Sequence, residues 1–578
     1  MTNFSENYQY RLQLILFLVF VFAGNFILYY VVGDSQYYWR PTDIQEDYFY
    51  GAMLLHNDFQ ILRPSHPGVP AYQILNLIFG LFGAPVESAS DIFAASYAFV
   101  LVVSVACISV FAVVPKCVPA SYRMLALSFL FVWPPTFFYS LTYGADSFVV
   151  PLSALIAGIS WRFIDETENR PLWKWALFGA LCGFSVTIKL TLMIPAAGAF
   201  LALASSAAFN RRSDRVIGPI AFGIGGVVAG VAFLYPAFWR IASYASMLLS
   251  PPNYLQTSAG IWSRITVFFG QITEYSEVLM GISLTMSCVA VIGVLTGIYV
   301  AWRFPEARSR LLPKAIFVIV MMVGLIKTMT GVANGGPSFA GVALRNSSAA
   351  IIAVPAGLLL LFEAYSKVLG EAKGLKLISA LGVLFAVVIT LYVTADNRAD
   401  YADARQKLQT RWTDAIGQVM EPGQTVAVGE GANEAAFHFY GNNSYGGNRF
   451  DRQIAEAFPE TTYVRRIEIA RPPSIDDKLA VPRGRLSDLW QKIKGSWYRL
   501  FPVPTGLYPS ELLVPAFSGR HIVGVVILRR ELPRDCGISC FVELLRSQGH
   551  NVRFVGSRTI PLSPGDDLLV FSENPSEG

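Results

Sequence analysis

The segment Pro41-Thr42-Asp43-Ile44-Gln45-Glu46-Asp47-Tyr48-Phe49-Tyr50 sets three carboxylates within five positions, directly after an apolar run. Thr42 suits an N-cap, and Gln45 three residues on completes a capping box, so the spacing predicts a helix from Asp43 to about Leu55. On it Asp43, Glu46, Asp47 and Tyr50 recur at i, i+3, i+4 and i+7 and share one face. Ile44, Tyr48, Ala52 and Leu55 form a less polar one. A carboxylate there can take a proton from a hydroxyl as a general base, and a pair of them can hold a divalent metal. Both uses are open. An acid in a first turn also complements the helix dipole, which accounts for Asp43 more readily than for all three. His66, in His66-Pro67-Gly68-Val69-Pro70, either binds a phosphate or orients an acid, or else bonds to backbone as a loop histidine.

These residues stand in an apolar chain. Of 578 residues, 53% are hydrophobic and 15% charged, against about 25% charged in soluble proteins. The mean hydropathy is +0.46. The net charge of +5 gives no footprint for nucleic acid. Apolar runs at 12–33, 89–114, 123–142, 147–163, 174–190, 191–209, 216–239, 278–302, 313–333, 347–366 and 375–395 predict a polytopic α-helical protein with about eleven membrane spans. The first run is too long for a signal-peptide core and is read as a retained helix. The 174–209 stretch is split into a hairpin near Lys189.

Basic residues cluster in alternate loops: Lys116 and Arg123; Arg162, Arg170 and Lys174; Arg211, Arg212 and Arg215; Arg303, Arg308, Arg310 and Lys314; Lys367, Lys373 and Lys376. The positive-inside rule puts all of them, and the N-terminus, in the cytoplasm. Loops 34–88, 241–277 and 330–346 then lie outside, with everything after 395. Two domains are expected: a transmembrane part, 1–395, that includes the 34–88 loop, and an extracytoplasmic α/β domain, 396–578. In the second, 425–430, 521–529 and 551–555 read as strands, and 432–440 and 540–548 as helices. In 485–503, Leu486, Leu489, Trp490, Ile493, Trp497, Leu500 and Phe501 recur at helical spacing among Lys492, Lys494 and Arg499. That pattern fits an interfacial helix on lipid or a helix packed on its own domain. Cys536 and Cys540 are positioned for a disulfide if the compartment is oxidising. The other cysteines read as packing residues, and no Cys/His spacing suggests zinc.

Two further chemical groups begin or interrupt spans. Tyr143-Gly144-Ala145-Asp146-Ser147 opens one; Asp146 alone is also an ordinary helix-start acid. Lys189 lies inside an apolar stretch, where a lysine either meets an anion such as a lipid phosphate or snorkels to the headgroups.

One span, an outer loop with the acidic pair Glu46-Asp47, Tyr50, Asn57-Asp58 and then His66-Pro67-Gly68 follow in an order that resembles the GT-C glycosyltransferases. The resemblance is strongest to the protein O-mannosyltransferases and the lipid A aminoarabinose transferase, and it covers about the first 395 residues. The acidic pair is reversed from the family's Asp-Glu, which leaves the base open among Asp43, Glu46 and Asp47. Asp146 resembles the family's second acidic position, and Tyr143 stands beside it. Gly183-Phe184-Ser185-Val186-Thr187-Ile188-Lys189 resembles its Gly-rich helix ending in Lys. Arg345 resembles its donor-phosphate arginine, although Asn346-Ser347 follows where the family has Tyr.

The resemblance implies an inverting glycosyltransferase using a polyprenyl-phosphate sugar donor. Its acceptor would be an envelope glycan, lipid or protein on the outer side of a bacterial inner membrane. Lys189, Arg345 and His66 would meet the donor phosphate; Tyr50, Tyr143 and Asp146 would complete the site. No cofactor is certain, and a divalent metal is possible. The alternative is a multi-pass transporter or flippase of a lipid-linked substrate, against which stands the lack of an internal repeat.

Overall fold

The computed structural model describes residues 68–82, 89–113, 118–131, 144–166, 169–210, 213–235, 238, 277–332, 348–369 and 388 of the apolar part. Beyond it, the structure describes 425–428, 462–464, 492–493, 495–497, 499–500, 522–529, 532, 537–547, 551–559 and 567–573. The expected spans 12–33 and, apart from residue 388, 375–395 lie outside the described residues, as do the acidic-loop helix and the helix expected over 432–440.

The apolar part is helical: α1 (Val69–Phe82), α2 (Ala89–Val113), α3 (Ala120–Phe131), α4 (Val149–Asp165), α5 (Leu172–Ile188), α6 (Met193–Phe209), α7 (Ile217–Leu234), α8 (Glu277–Arg303), α9 (Pro305–Val332) and α10 (Ala353–Leu369). Short 3-10 turns lead into α4 (Ala145–Phe148) and α6 (Leu190–Leu192). Proline sets several of the starts. It lacks the N–H that an interior residue must donate, but the first turn needs no such donor. Pro151, Pro195, Pro219 and Pro355 each fall at the third residue of α4, α6, α7 and α10, and Pro305 opens α9.

Among the described residues, four helical stretches are long and apolar enough to cross a membrane: Ala145–Asp165, Leu190–Phe209, Ile217–Leu234 and Pro305–Ile326. Shorter apolar helices stand beside them, including Leu172–Ile188 and Ala353–Ser366. The chain is an integral membrane protein of largely helical fold.

Two expectations are revised. The loop expected over 34–88 contains the apolar helix α1, because Pro70 lies in its first turn and does not break it. Gly68, at φ 107°, makes the entry, and its carbonyl accepts from the Ala71 N–H at 2.9 Å. Arg308, Arg310 and Lys314, read as loop charges, are helical residues of α9, and Lys314 is fully buried.

Packing rests on small residues, as it must where lipid supplies no hydrophobic drive between helices. In α5 and α7, a Cβ on Gly179 would lie 1.9 Å from the Phe222 carbonyl oxygen, and one on Gly183 2.1 Å from that of Gly226. Gly293 of α8 meets the Gly357 carbonyl of α10 in the same manner, at 2.1 Å. Large side chains fill the rest of the core. Trp161 of α4 meets Phe317 of α9 edge-on at 5.8 Å, and Tyr122 of α3 stacks on Phe362 of α10 at 4.5 Å. The outer faces of α7 (Ile220, Ile224, Val227) and α8 (Ile292, Leu295) stay exposed, which suits contact with acyl chains.

The helices between 97 and 395 form one compact unit; Tyr72–Ser96 and the chain from 396 onward are grouped in a second. The second unit has a five-stranded sheet of order β2-β1-β3-β5-β4, from β1 (Thr425–Val428), β2 (Thr462–Val464), β3 (Ile522–Leu528), β4 (Val552–Thr559) and β5 (Asp567–Glu573). β1 pairs in parallel with β2 and β3, whereas β5 is antiparallel to β3 and β4. Helix α11 (Ile538–Ser547) buries Phe541 and Leu545 with Val525, Leu569 and Phe571. Cys540 is disulfide-bonded, and Cys536 lies outside the described residues. In 492–500 the described residues are helical, with Ile493 and Leu500 exposed.

Candidate active site at one end of the helix bundle

Residues 187–195 do not continue as one helix. Pro195 stands in the first turn of α6, where its missing N–H costs no intrahelical bond. The break falls at Lys189. Its N–H still closes α5 on the Ser185 carbonyl at 3.1 Å, its backbone then turns extended (φ −148°, ψ 128°), and its carbonyl accepts from Leu192 N–H at 2.9 Å. The hairpin expected near Lys189 is thus in place. Asp146 sits in the 3-10 turn before α4, where Ser147 N–H bonds the Gly144 carbonyl at 3.2 Å.

These two breaks meet. Lys189 Nζ lies 2.9 Å from Asp146 Oδ1, with side chains 8% and 6% exposed. Each charge also sits at the helix end that favours it, the carboxylate before the N-terminus of α4 and the ammonium at the C-terminus of α5. Lys189 thus meets an anion in the structure, a carboxylate of the chain itself. A buried pair is stable only while both charges are kept. An ammonium carries three donors, so Lys189 can meet Asp146 and still donate to a second group.

Asp43, Glu46, Asp47, Tyr50, His66, Tyr143 and Arg345 lie outside the described residues. Among the described residues no group of three His, Cys, Asp or Glu side chains could hold a metal ion.

The opposite ends of the same helices carry the basic residues. Asp214 Oδ2 accepts from Trp175 Nε1 at 2.9 Å and from Arg170 N–H at 3.2 Å. Arg170 bonds Glu166 Oε2 at 3.2 Å and lies over the Phe163 ring at 4.6 Å. Burial of Glu166 raises its pKa, but the hydrogen bonds from Arg162 and Arg170 and the charges of Arg170 and Lys174 outweigh that, and the net shift is downward from 4.5. Lys314 contacts both Asp165 and Glu363. The sequence reading did not find this cluster. Arg310 and Lys314 were read there only as cytoplasmic loop charge, and Glu363, inside the apolar run 347–366, was not singled out.

No family model matches the chain, and no curated protein does. Structural likenesses exist. ArnT from Cupriavidus metallidurans bound to undecaprenyl phosphate has a TM-score of 0.49 and 10% identity, covering 96% of this chain and 98% of that one. ArnT in the apo state has a TM-score of 0.47 and 11% identity, covering 96% and 99%. The archaeal oligosaccharyltransferase AglB from Archaeoglobus fulgidus, in complex with an inhibitory peptide and a dolichol-phosphate, has a TM-score of 0.41 and 12% identity, covering 89% and 69%. With every TM-score below 0.5, nothing about the reaction is taken from these likenesses.

Proposed function

We propose that the protein is an inverting GT-C glycosyltransferase that moves a sugar from a polyprenyl-phosphate carrier to an envelope glycan, lipid or protein. The observation that carries this reading is the buried Asp146–Lys189 pair, 2.9 Å long, at the junction of two apolar helices. A lysine held at such a place is fitted to an anionic group that arrives from the lipid side. Residues 1–395 form the catalytic domain and 396–578 an extracytoplasmic domain that helps to hold the acceptor.

One carboxylate of Asp43, Glu46 and Asp47 takes the proton from the acceptor hydroxyl. The oxygen bonds to the anomeric carbon as the bond from that carbon to the phosphate oxygen breaks on the opposite face. General-base help of this kind is worth about 10²–10⁴ in rate. Lys189, Arg345 and His66 stabilise the departing phosphate, and Asp146 holds Lys189 while Tyr50 and Tyr143 line the site. Where a divalent metal is used, the same acid pair holds it. The reaction lies on the outer face of a bacterial inner membrane, with the N-terminus in the cytoplasm.

The test is sugar transfer by Asp43→Asn, Glu46→Gln and Asp47→Asn, each assayed separately. At least one abolishes turnover while the protein remains folded. Full activity in all three removes the acidic loop from the mechanism.

A further inference from the structure

At the end of the bundle away from Asp146 and Lys189, four charges from three helices meet, Lys314 and Glu363 buried, Asp165 and Arg310 partly exposed. Lys314 of α9 is 0% exposed at its side chain, and its Nζ lies 2.5 Å from Asp165 Oδ1 of α4 and 2.7 Å from Glu363 Oε2 of α10. Glu363 Oε1 is 2.9 Å away, so one ammonium takes both oxygens of that carboxylate. Arg310, one turn before Lys314, reaches the same Asp165 Oδ1 at 3.3 Å. Trp161 of α4 presents its ring to Lys314 Nζ at 5.8 Å. Charges this deep are costly to keep, and their removal from water is compensated only by such close geometry. Simple helix packing needs none of them, as Gly293 against Gly357 shows in the same bundle.

Asp165 is the last residue of α4, and Asp146 stands in the turn that begins it. The stretch from 145 to 165 spans about 30 Å at 1.5 Å per residue. Its one proline, Pro151, lies in the first turn, so no interior backbone bond of α4 is lost to proline. Midway, Gly158 lies against the α2 backbone, where a Cβ would meet Phe111 Cα at 2.9 Å, so α4 bears on its neighbour at that point. By contrast α9 lacks one backbone bond beside the cluster, since Pro313 cannot donate to the preceding turn. The side-chain ties thus cross the place where α9 is weakest.

We propose that Asp165, Lys314 and Glu363 are positioning residues for the Asp146–Lys189 pair: their ion-pair network fixes the far end of α4, and α4 carries that placement to Asp146. The functional meaning rests on the phosphate role given above to Lys189; the mechanical claim does not.

The two are separated by measuring Lys189 itself. Full-length protein in detergent is treated with an amine-acylating reagent, and modification of each lysine is read by peptide mass spectrometry. Lys492, which is exposed, serves as the internal standard. Lys314→Met raises acylation of Lys189 relative to Lys492 by about tenfold, which corresponds to about 1.4 kcal/mol less protection. Glu363→Gln, which leaves Lys314 its Asp165 contact, raises it less and stands in if Lys314→Met does not fold. Wild type warmed until it stands as close to its thermal midpoint as Lys314→Met controls for general loosening and leaves Lys189 acylation relative to Lys492 unchanged. Unaltered Lys189 acylation in the folded charge variants overturns the proposal. So does an equal rise in wild type warmed in this way. Affinity for undecaprenyl phosphate is then measured on the same variants. Raised acylation with weakened affinity supports both claims, and raised acylation with unchanged affinity keeps the positioning network but removes Lys189 from phosphate binding.

Discussion

Gly183→Ala tests the packing that carries the candidate site. The added Cβ would lie 2.1 Å from the Gly226 carbonyl oxygen and 2.8 Å from its carbon. A C···O contact between helices normally closes to about 3.3–3.6 Å. The obstacle is backbone, so no side-chain rotation relieves it; α5 and α7 have to separate by about 1 Å or more. Overpacking of this kind costs about 1–3 kcal/mol, partly offset by the gain of about 1 kcal/mol when alanine replaces a helical glycine. The same helix pair offers a control. A Cβ on Gly223 of α7 meets nothing within 4 Å, so Gly223→Ala keeps the helical gain without the clash. The two variants should therefore differ by about 1–3 kcal/mol, with Gly183→Ala lower and Gly223→Ala at or above wild type. Thermal unfolding of the purified variants in one detergent reads this directly. Because Lys189 ends α5, Gly183→Ala should also weaken polyprenyl-phosphate binding, whereas Gly223→Ala should not. Equal midpoints, or the reverse order, would refute the close backbone approach of α5 and α7.

Three other outcomes follow from the geometry. Asp146→Asn and Lys189→Met each strand a buried charge and should cost about 3–5 kcal/mol, while the double variant should unfold later than either single one; strictly additive losses would contradict the pair. Glu166 has its pKa lowered below 4.5 in the folded protein, so its contribution is complete above 4.5 and disappears as pH falls through the lower folded-state value. The stability advantage of wild type over Glu166→Gln should accordingly be constant near neutrality and vanish in acid, and an advantage that grows on acidification would reverse the sign. Trp175→Phe removes the 2.9 Å donor to Asp214 and should lower stability by about 1–3 kcal/mol, seen as a lower midpoint with α5 otherwise intact.

Much of the helix layout was legible from apolar runs alone. The first-turn prolines Pro195 and Pro355 stand where α6 and α10 start, a signal the sequence reading did not use. The break at Lys189 was legible because basic loops flank the 174–209 stretch on both sides, which asks for two spans between them. Its contact with Asp146 was not: hydropathy places both residues at the same end of their spans but says nothing about which helices touch. The Lys314 cluster was harder still. Counting basic residues toward topology treats Arg310 and Lys314 as surface charge, and only the packing of α4, α9 and α10 brings Asp165 and Glu363 to them. In the second unit, β1, β3 and α11 were readable from alternation and helical spacing. β2, three residues long, carries too few residues to establish a period, and β5, seven residues long, was not singled out. The acidic loop remains the part of the site argued from residue types and spacing, with Asp43, Glu46 and Asp47 as its alternatives.

The most direct test of glycosyl transfer removes the membrane sides altogether. The purified full-length protein in detergent micelles is mixed with a polyprenyl-phosphate sugar and an extract of cell-envelope glycans, lipids and proteins, and free polyprenyl phosphate is followed by mass spectrometry. A transferase still turns over under these conditions, whereas a flippase has no second side to deliver to. The account predicts release of polyprenyl phosphate together with a one-sugar mass gain on an acceptor, both lost in Lys189→Met. An intact donor after incubation with folded protein, or release that Lys189→Met leaves unchanged, would contradict it.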